Sequence, residues 1–225
     1  MIVITGASRG LGKAICDRLL SKGTAVFGLA RHVAGLSFPA MACDVSSYDD
    51  VKAVAQRLKR EGVKISGLVN AAGIASMNLA LTTPPHVSQS IIQTNLLGTI
   101  YCCQLFAPFM LRQQSGSIIN FSSIAVALGL KGESIYAASK AGVEGFTRSF
   151  AREVASFNVT VNCIAPGPID TNLLKGVTAT QIQKIVAQQI IPRQFTPEAV
   201  SDLVELLLDA RSRSLSGEVL HVGGA

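Results

Sequence analysis

The opening segment restricts the fold more than any other part of the chain. Ile2-Val3-Ile4-Thr5 is an apolar run, and it breaks at once into Gly6-Ala7-Ser8-Arg9-Gly10-Leu11-Gly12. A short apolar run bounded by glycine reads as a buried strand. Glycine admits positive φ and lets two backbones come close, and the residues that follow open a helical pattern. The order is therefore strand, tight turn, helix. Such a helix start carries free N–H groups and the positive end of the helix dipole, which suits an anion. The spacing is G-x3-G-x-G, which differs from the commoner G-x-G-x-x-G dinucleotide fingerprint.

The rest of the chain repeats this alternation. Apolar runs at Ile2–Thr5, Ala25–Ala30, Gly67–Asn70, Ser117–Phe121, Thr160–Ile164 and Glu218–Val222 are separated by stretches with helical spacing. One such stretch, Val51, Val54, Ala55 and Leu58, follows Ser47 with Asp50 three residues on, a capping-box pattern. The expected fold is α/β: one Rossmann-type doubly wound parallel sheet spanning residues 1–225 as a single domain. Parallel strands need about a dozen connecting residues, normally with a helix. Between Arg31 and Asp44 the chain is that short and contains Gly35 and Pro39. The second crossover is therefore expected to be a loop or single turn, leaving one end of the ligand site open.

Composition narrows the class. Hydrophobic residues make up 48% and charged residues 15%, enough for a large core and the opposite of a disordered chain. No stretch reads as a membrane span or a secretory leader. The cysteines Cys16, Cys43, Cys102, Cys103 and Cys163 form no CxxC pair or Cys/His cluster, so no metal is expected. They read as reduced core thiols of a cytoplasmic protein. The net charge of +6 comes from scattered Lys and Arg. It favours phosphate-bearing ligands but builds no nucleic-acid face.

Charge also bears on which dinucleotide is bound. An acid at the end of the second strand would hold a ribose 2′-hydroxyl, whereas a basic residue accommodates a 2′-phosphate. Here the strand ends in Leu29-Ala30-Arg31-His32, and Arg9 stands within the glycine turn. Two arginines at one ribose favour NADP(H). Tyr136 and Lys140 share a helix face at i and i+4. An ammonium near a phenol lowers its pKa and suits it to acid/base work. Ser123, at the end of an apolar strand, is placed to hydrogen-bond a substrate oxygen. As a lone serine it reads equally as a helix cap.

These residues, taken in order, resemble the short-chain dehydrogenase/reductase family from end to end. The resemblance rests on Thr5-Gly6-Ala7-Ser8-Arg9-Gly10-Leu11-Gly12, Asp44-Val45, Asn70-Ala71-Ala72-Gly73, Asn95, Ser123, Tyr136-x-x-x-Lys140 and Pro166-Gly167-Pro168-Ile169. It implies Tyr136 as acid/base and Ser123 as the group that polarises the carbonyl. Lys140 would bind the nicotinamide ribose and lower the tyrosine pKa. Asn95 would hold a proton-relay water. Gly6, Ser8, Arg9, Gly10, Leu11, Gly12 and Arg31 would bind the phosphates and adenosine ribose, with Asp44 and Val45 on the adenine. Asn70, Ala71 and Gly73 would line the ribose and stabilise the central strand. Pro166, Gly167, Ile169 and Thr171 would cover the nicotinamide. The resemblance also implies a homodimer or homotetramer.

The nearest-looking branch is the 3-oxoacyl-carrier-protein reductases, so the expected activity is NADPH-dependent reduction of a ketone, foremost a 3-oxoacyl thioester. The thioester would be presented by a carrier protein or coenzyme A. Carrier-dependent relatives often place basic residues where this chain has Gln114 and Phe157. The alternatives are a reductase or dehydrogenase of a specialised ketone or alcohol and, in another class, a non-catalytic NADP-sensing protein. The segment from Asn172 to Gln194 is expected to set substrate shape.

Overall fold

A computed structural model describes residues 1–171 and 177–225; the first part of the shape-setting segment, 172–176, lies outside the described residues. Seven strands form one sheet: β1 Ile2–Thr5, β2 Val26–Ala30, β3 Ala40–Ala42, β4 Gly67–Asn70, β5 Gly116–Phe121, β6 Val159–Pro166 and β7 Val219–Val222. All pairings are parallel and the spatial order is β3-β2-β1-β4-β5-β6-β7. The sheet is the doubly wound one the alternation implies.

Neighbouring residues of each central strand serve opposite faces. Val3, Leu68 and Ile118 join one cluster with Val54, Leu58, Phe106 and Met110, from helices α2 (Tyr48–Arg60) and α4 (Gly98–Gln113). Ile4, Val69 and Ile119 join the other with Ile15, Val200 and Leu207, from α1 (Gly10–Ser21) and α8 (Pro197–Leu208). Burial on both faces is why these strands read as continuous apolar runs.

β3 is absent from the sequence reading. Ala40-Met41-Ala42 is three residues long, lacks β-branched side chains and pairs on one edge only, through Gly28↔Ala40 and Ala30↔Ala42. No helix intervenes between β2 and β3, so the shortened crossover is present. α2 begins at its expected cap, with Ser47 Oγ accepting from Asp50 N–H at 3.2 Å. The box is not reciprocal: Asp50 accepts instead from the Asp44 N–H at 3.1 Å and from Ser47 Oγ. The cap therefore ties Asp44 to the start of α2.

The long helical stretch Pro85–Gln113 is α3 (Pro85–Ile92), a π-helical turn over Gln93–Leu97, and α4. Although the sequence shows no unbroken apolar run of spanning length, this helix is long and apolar enough by composition to cross a membrane. Here it packs on the sheet, with Cys102, Cys103, Phe106 and Met110 in the core. It closes at Gln114 in the left-handed conformation (φ 51°). Helices α5 (Ile124–Leu128), α6 (Ser134–Val154) and α7 (Ala179–Val186) complete the set among the described residues.

Candidate active site

The strand order reverses between β1 and β4, and at such a point the loops beyond the strand carboxyl ends part to form a crevice. A cleft of about 1400 Å³ opens there. The glycine turn is its floor. Gly6 and Gly10 have φ of 69° and 55°, and a methyl on Gly12 would collide with the Gly6 carbonyl oxygen. Thr5, fully buried, stitches the turn to the next strand by accepting from the Ala72 N–H at 3.0 Å. α1 starts at Arg9 with no side-chain cap and no acidic residue in its first turn. Its unpaired N–H groups therefore meet the cleft uncompensated.

Ser8, Arg9, Leu11, Arg31, Asp44, Val45, Ala71, Gly73, Pro166, Gly167, Ile169 and Thr171 also line this cleft, together with Gly6, Gly10 and Gly12. Arg9 and Arg31 are exposed on the same wall, and neither forms an ion pair among the described residues. The Asp44 carboxyl lies below its usual range. Partial burial opposes this, but the Ser46 hydroxyl (2.7 Å), the Ser46 N–H (3.0 Å) and the Arg31 charge outweigh it.

Asn70 does not reach the cleft. Its side chain turns into the sheet and donates to Asn120 Oδ1 at 2.9 Å, and Asn120 donates on to Thr147 at 2.9 Å. Strand alternation explains this: with Ala71 facing the cavity, Asn70 faces α4 and α6. Its role here is the cross-strand one, and its Oδ1 is buried without a partner.

At the other end of the cleft stand Ser123, Tyr136 and Lys140. Ser123 ends the β5 segment and caps α5, accepting from the Ala125 N–H at 3.2 Å. It lines the same cleft as Tyr136, and its hydroxyl favours the charged phenolate there; of the two readings, the cap is the one its hydrogen bond shows. Lys140 Nζ donates to the Phe121 carbonyl at 2.8 Å and lies 5.9 Å from the Tyr136 ring centre.

Asn95 sits behind this group, fully buried in the π-helical turn. Its Oδ1 accepts from the Ile74 N–H at 2.9 Å; its Nδ2 donates to the Ile74 carbonyl at 2.9 Å and to Ser139 Oγ at 3.0 Å. Both amide hydrogens and one lone pair of the oxygen are thus engaged by protein. The side chain clamps the loop after β4 to α6. A π turn inside a long apolar helix recurs at functional sites, but its local sequence, Gln93-Thr94-Asn95-Leu96-Leu97, gives no sign of it.

The expected depression of the tyrosine pKa is not what the geometry produces. Burial pushes Tyr136 up to about 12; the Ser123 hydroxyl opposes this and the Glu133 charge adds to it. Burial also pushes Lys140 down to about 8. Desolvation is the largest effect on both groups. Tyr136 is consequently a neutral phenol at physiological pH, able to donate a proton.

Other groups here have no signature in the sequence. Ser122 Oγ donates to Glu144 at 2.6 Å, and Arg148 pairs with the same carboxylate at 3.4 Å. Ser139 and Ile74 are reached only through Asn95. Each depends on contacts far apart in the chain.

The family model for short chain dehydrogenases matches residues 1–182. The 3-oxoacyl-[acyl-carrier-protein] reductase FabG of Vibrio cholerae is 36% identical over 99% of this chain and 95% of its own length. Carbonyl reductase family member 4 of Xenopus laevis is 36% identical over 98% of this chain and 95% of its own. Among solved structures, ligand-free aldohexose dehydrogenase of Thermoplasma acidophilum superposes with a TM-score of 0.90 at 32% identity, covering 99% of this chain and 92% of that one. Fold, ordered motifs and relatives agree, and the chain is an oxidoreductase of the short-chain dehydrogenase family.

Proposed function

We propose that the protein reduces a ketone to a secondary alcohol with NADPH, foremost the ketone of a 3-oxoacyl thioester, with Tyr136 as the proton donor. The observation that carries this reading is the convergence of Ser123, Tyr136 and Lys140 on a cleft whose far end presents an uncapped helix start and two arginines that form no ion pair among the described residues. That end fits a phosphorylated dinucleotide: the glycine turn leaves backbone bare, and Arg9 and Arg31 supply charge for a 2′-phosphate. When bound, the nicotinamide supplies the hydride.

The chain's residues do the rest. Ser123 holds the carbonyl oxygen beside the Tyr136 hydroxyl. As hydride forms the new C–H bond, the C=O π pair takes the phenolic proton. Lys140, anchored on the Phe121 carbonyl, stands beside the phenolate so formed and stabilises it. Pro166, Gly167, Ile169 and Thr171 shield the reacting end from water.

Support for the thioester comes from the FabG relatives, whose names state a 3-oxoacyl-carrier-protein substrate. Gln114 closes α4 and Phe157 is partly exposed beyond α6. Neither brings positive charge to a carrier protein, so coenzyme A thioesters are the first substrates to try. We place the enzyme in the cytoplasm, on its five free buried cysteines, and assign it a homodimer or homotetramer built on α4 and α6.

Incubation with NADPH and acetoacetyl thioesters of coenzyme A or carrier protein should consume NADPH. No turnover with either rejects the substrate. A kcat/KM higher with NADH than with NADPH rejects the cofactor.

A further inference from the structure

Three residues ahead of Tyr136, on the same cleft wall, stands a carboxylate that the proton transfer does not use. Glu133 precedes the first turn of α6, but its side chain makes no capping hydrogen bond. Among the described residues that carboxylate has neither a hydrogen-bond donor nor an ion-pair partner. Its backbone is fully engaged, donating to Leu130 and accepting from Ala137. It is half-buried, and burial lifts its pKa with nothing opposing. Its charge reaches Tyr136 and raises the phenol in turn.

Partial burial removes some of the water an unpaired carboxylate would otherwise hold. The fold gives nothing back for it: no cap, no salt bridge, no network. The open side of Glu133 is the cleft, next to the atom that delivers the proton. Its oxygens still reach solvent, and a donor that enters with the substrate can take that solvent's place.

We propose that Glu133 is a specificity-determining residue: it accepts a hydrogen bond from a neutral donor of the substrate, a hydroxyl or an amide N–H close to the reacting carbonyl, and it disfavours substrates that carry a carboxylate there. The proposal rests on Tyr136 being the acid. A hydrogen bond to a charged group contributes roughly 1.5–3 kcal/mol, so a matched donor should gain about tenfold to a hundredfold in kcat/KM, expressed mainly in KM. An anion at the same place meets like charge in a partly desolvated site and loses a comparable factor.

The charged and titratable groups around Tyr136 are few. Glu133 precedes its helix and Lys140 lies on it. Cys163 on β6 lies behind Lys140, and His86 of α3 lines the same cleft. Removing the Glu133 charge therefore leaves no other anion acting on the phenol. Reduction needs protonated tyrosine, so the alkaline limb of kcat/KM should move to lower pH in Glu133→Gln, by roughly half to one unit.

The test uses matched ketones with NADPH: hydroxyacetone, methoxyacetone and pyruvate for a hydroxyl donor, and the N-acetylcysteamine thioester of acetoacetate against ethyl acetoacetate for an amide donor. Wild type should favour the donor-bearing member of at least one set at least tenfold and discriminate against pyruvate. Glu133→Gln should raise kcat/KM for pyruvate about tenfold, and Glu133→Ala should abolish the donor preference. If all ratios and the alkaline limb are the same in wild type and both variants, the role of Glu133 is overturned. If Tyr136→Phe retains turnover, or wild type turns over none of the five ketones, the reading beneath it falls instead.

Discussion

Desolvation decides the chemistry of single residues here more than the charge pairs that sequence spacing suggests. Tyr136 lies well above, and Lys140 well below, its ordinary range because both are buried. Phenylalanine at 136 keeps the ring and removes the proton. Tyr136→Phe should lower kcat by at least about a thousandfold while NADPH binding, read by isothermal titration calorimetry, is retained. The same burial makes stability pH-dependent. Lys140 titrates near 8 folded and near 10.5 unfolded. Between those values the unfolded chain holds more protons, so this lysine makes the protein more stable as pH rises from 8 to 10.5. Tyr136 has the opposite sign: raised from 10 to about 12, it holds its proton longer when folded and costs stability as pH rises through that window. The five buried thiols, pushed well above their ordinary value of 9, carry the same sign as Tyr136 and outnumber the lysine, so melting temperatures of the cofactor-free protein should fall from about pH 8.5 towards 10 in wild type, and Lys140→Met should steepen that fall. Arg31→Leu should lower kcat/KM for NADPH tenfold to a hundredfold and leave NADH nearly unchanged, because it removes charge from the 2′-phosphate alone.

Among elements, the π turn at Gln93–Leu97 links chemistry to scaffold. It presents Asn95 to the loop after β4 and, through Ser139, to the helix that carries Tyr136 and Lys140. Asn95→Leu would remove the partners of the partly buried Ile74 N–H and carbonyl and of the buried Ser139 hydroxyl. The expected cost is about 2–4 kcal/mol of stability by denaturant unfolding, with a fall in kcat larger than any change in NADPH affinity. Existence and type of the elements were legible in the sequence where one pattern dominated: the strands buried on both faces, the Ser47 cap, the glycine turn. β3 was not, because three small residues on an edge carry no periodicity. The π turn was not either, since one residue more per turn is set by what the helix packs against.

At the scale of the molecule, α4 and α6 lie side by side on one face of the sheet and leave apolar surface partly uncovered. Phe146 and Phe150 stack on α6 with ring centres 5.1 Å apart, and Leu105 and Leu111 of α4 are partly buried nearby. Sedimentation should give twice or four times the 23.6 kDa chain mass; Phe150→Glu should shift it towards monomer, since a carboxylate cannot be desolvated in an apolar seam. The sequence by itself determined the parallel sheet, the short second crossover and the family, because these follow from local periodicity, turn glycines and motif order. Most of the site residues it named line the cleft, Asn70 and Asn95 excepted. Only the tertiary structure decided that Asn70 serves the sheet, that Asn95 is a clamp and that Glu133 stands unpaired beside Tyr136. The reason is physical: direction, burial and the count of hydrogen-bond partners depend on residues distant in the chain, and only packing brings those together.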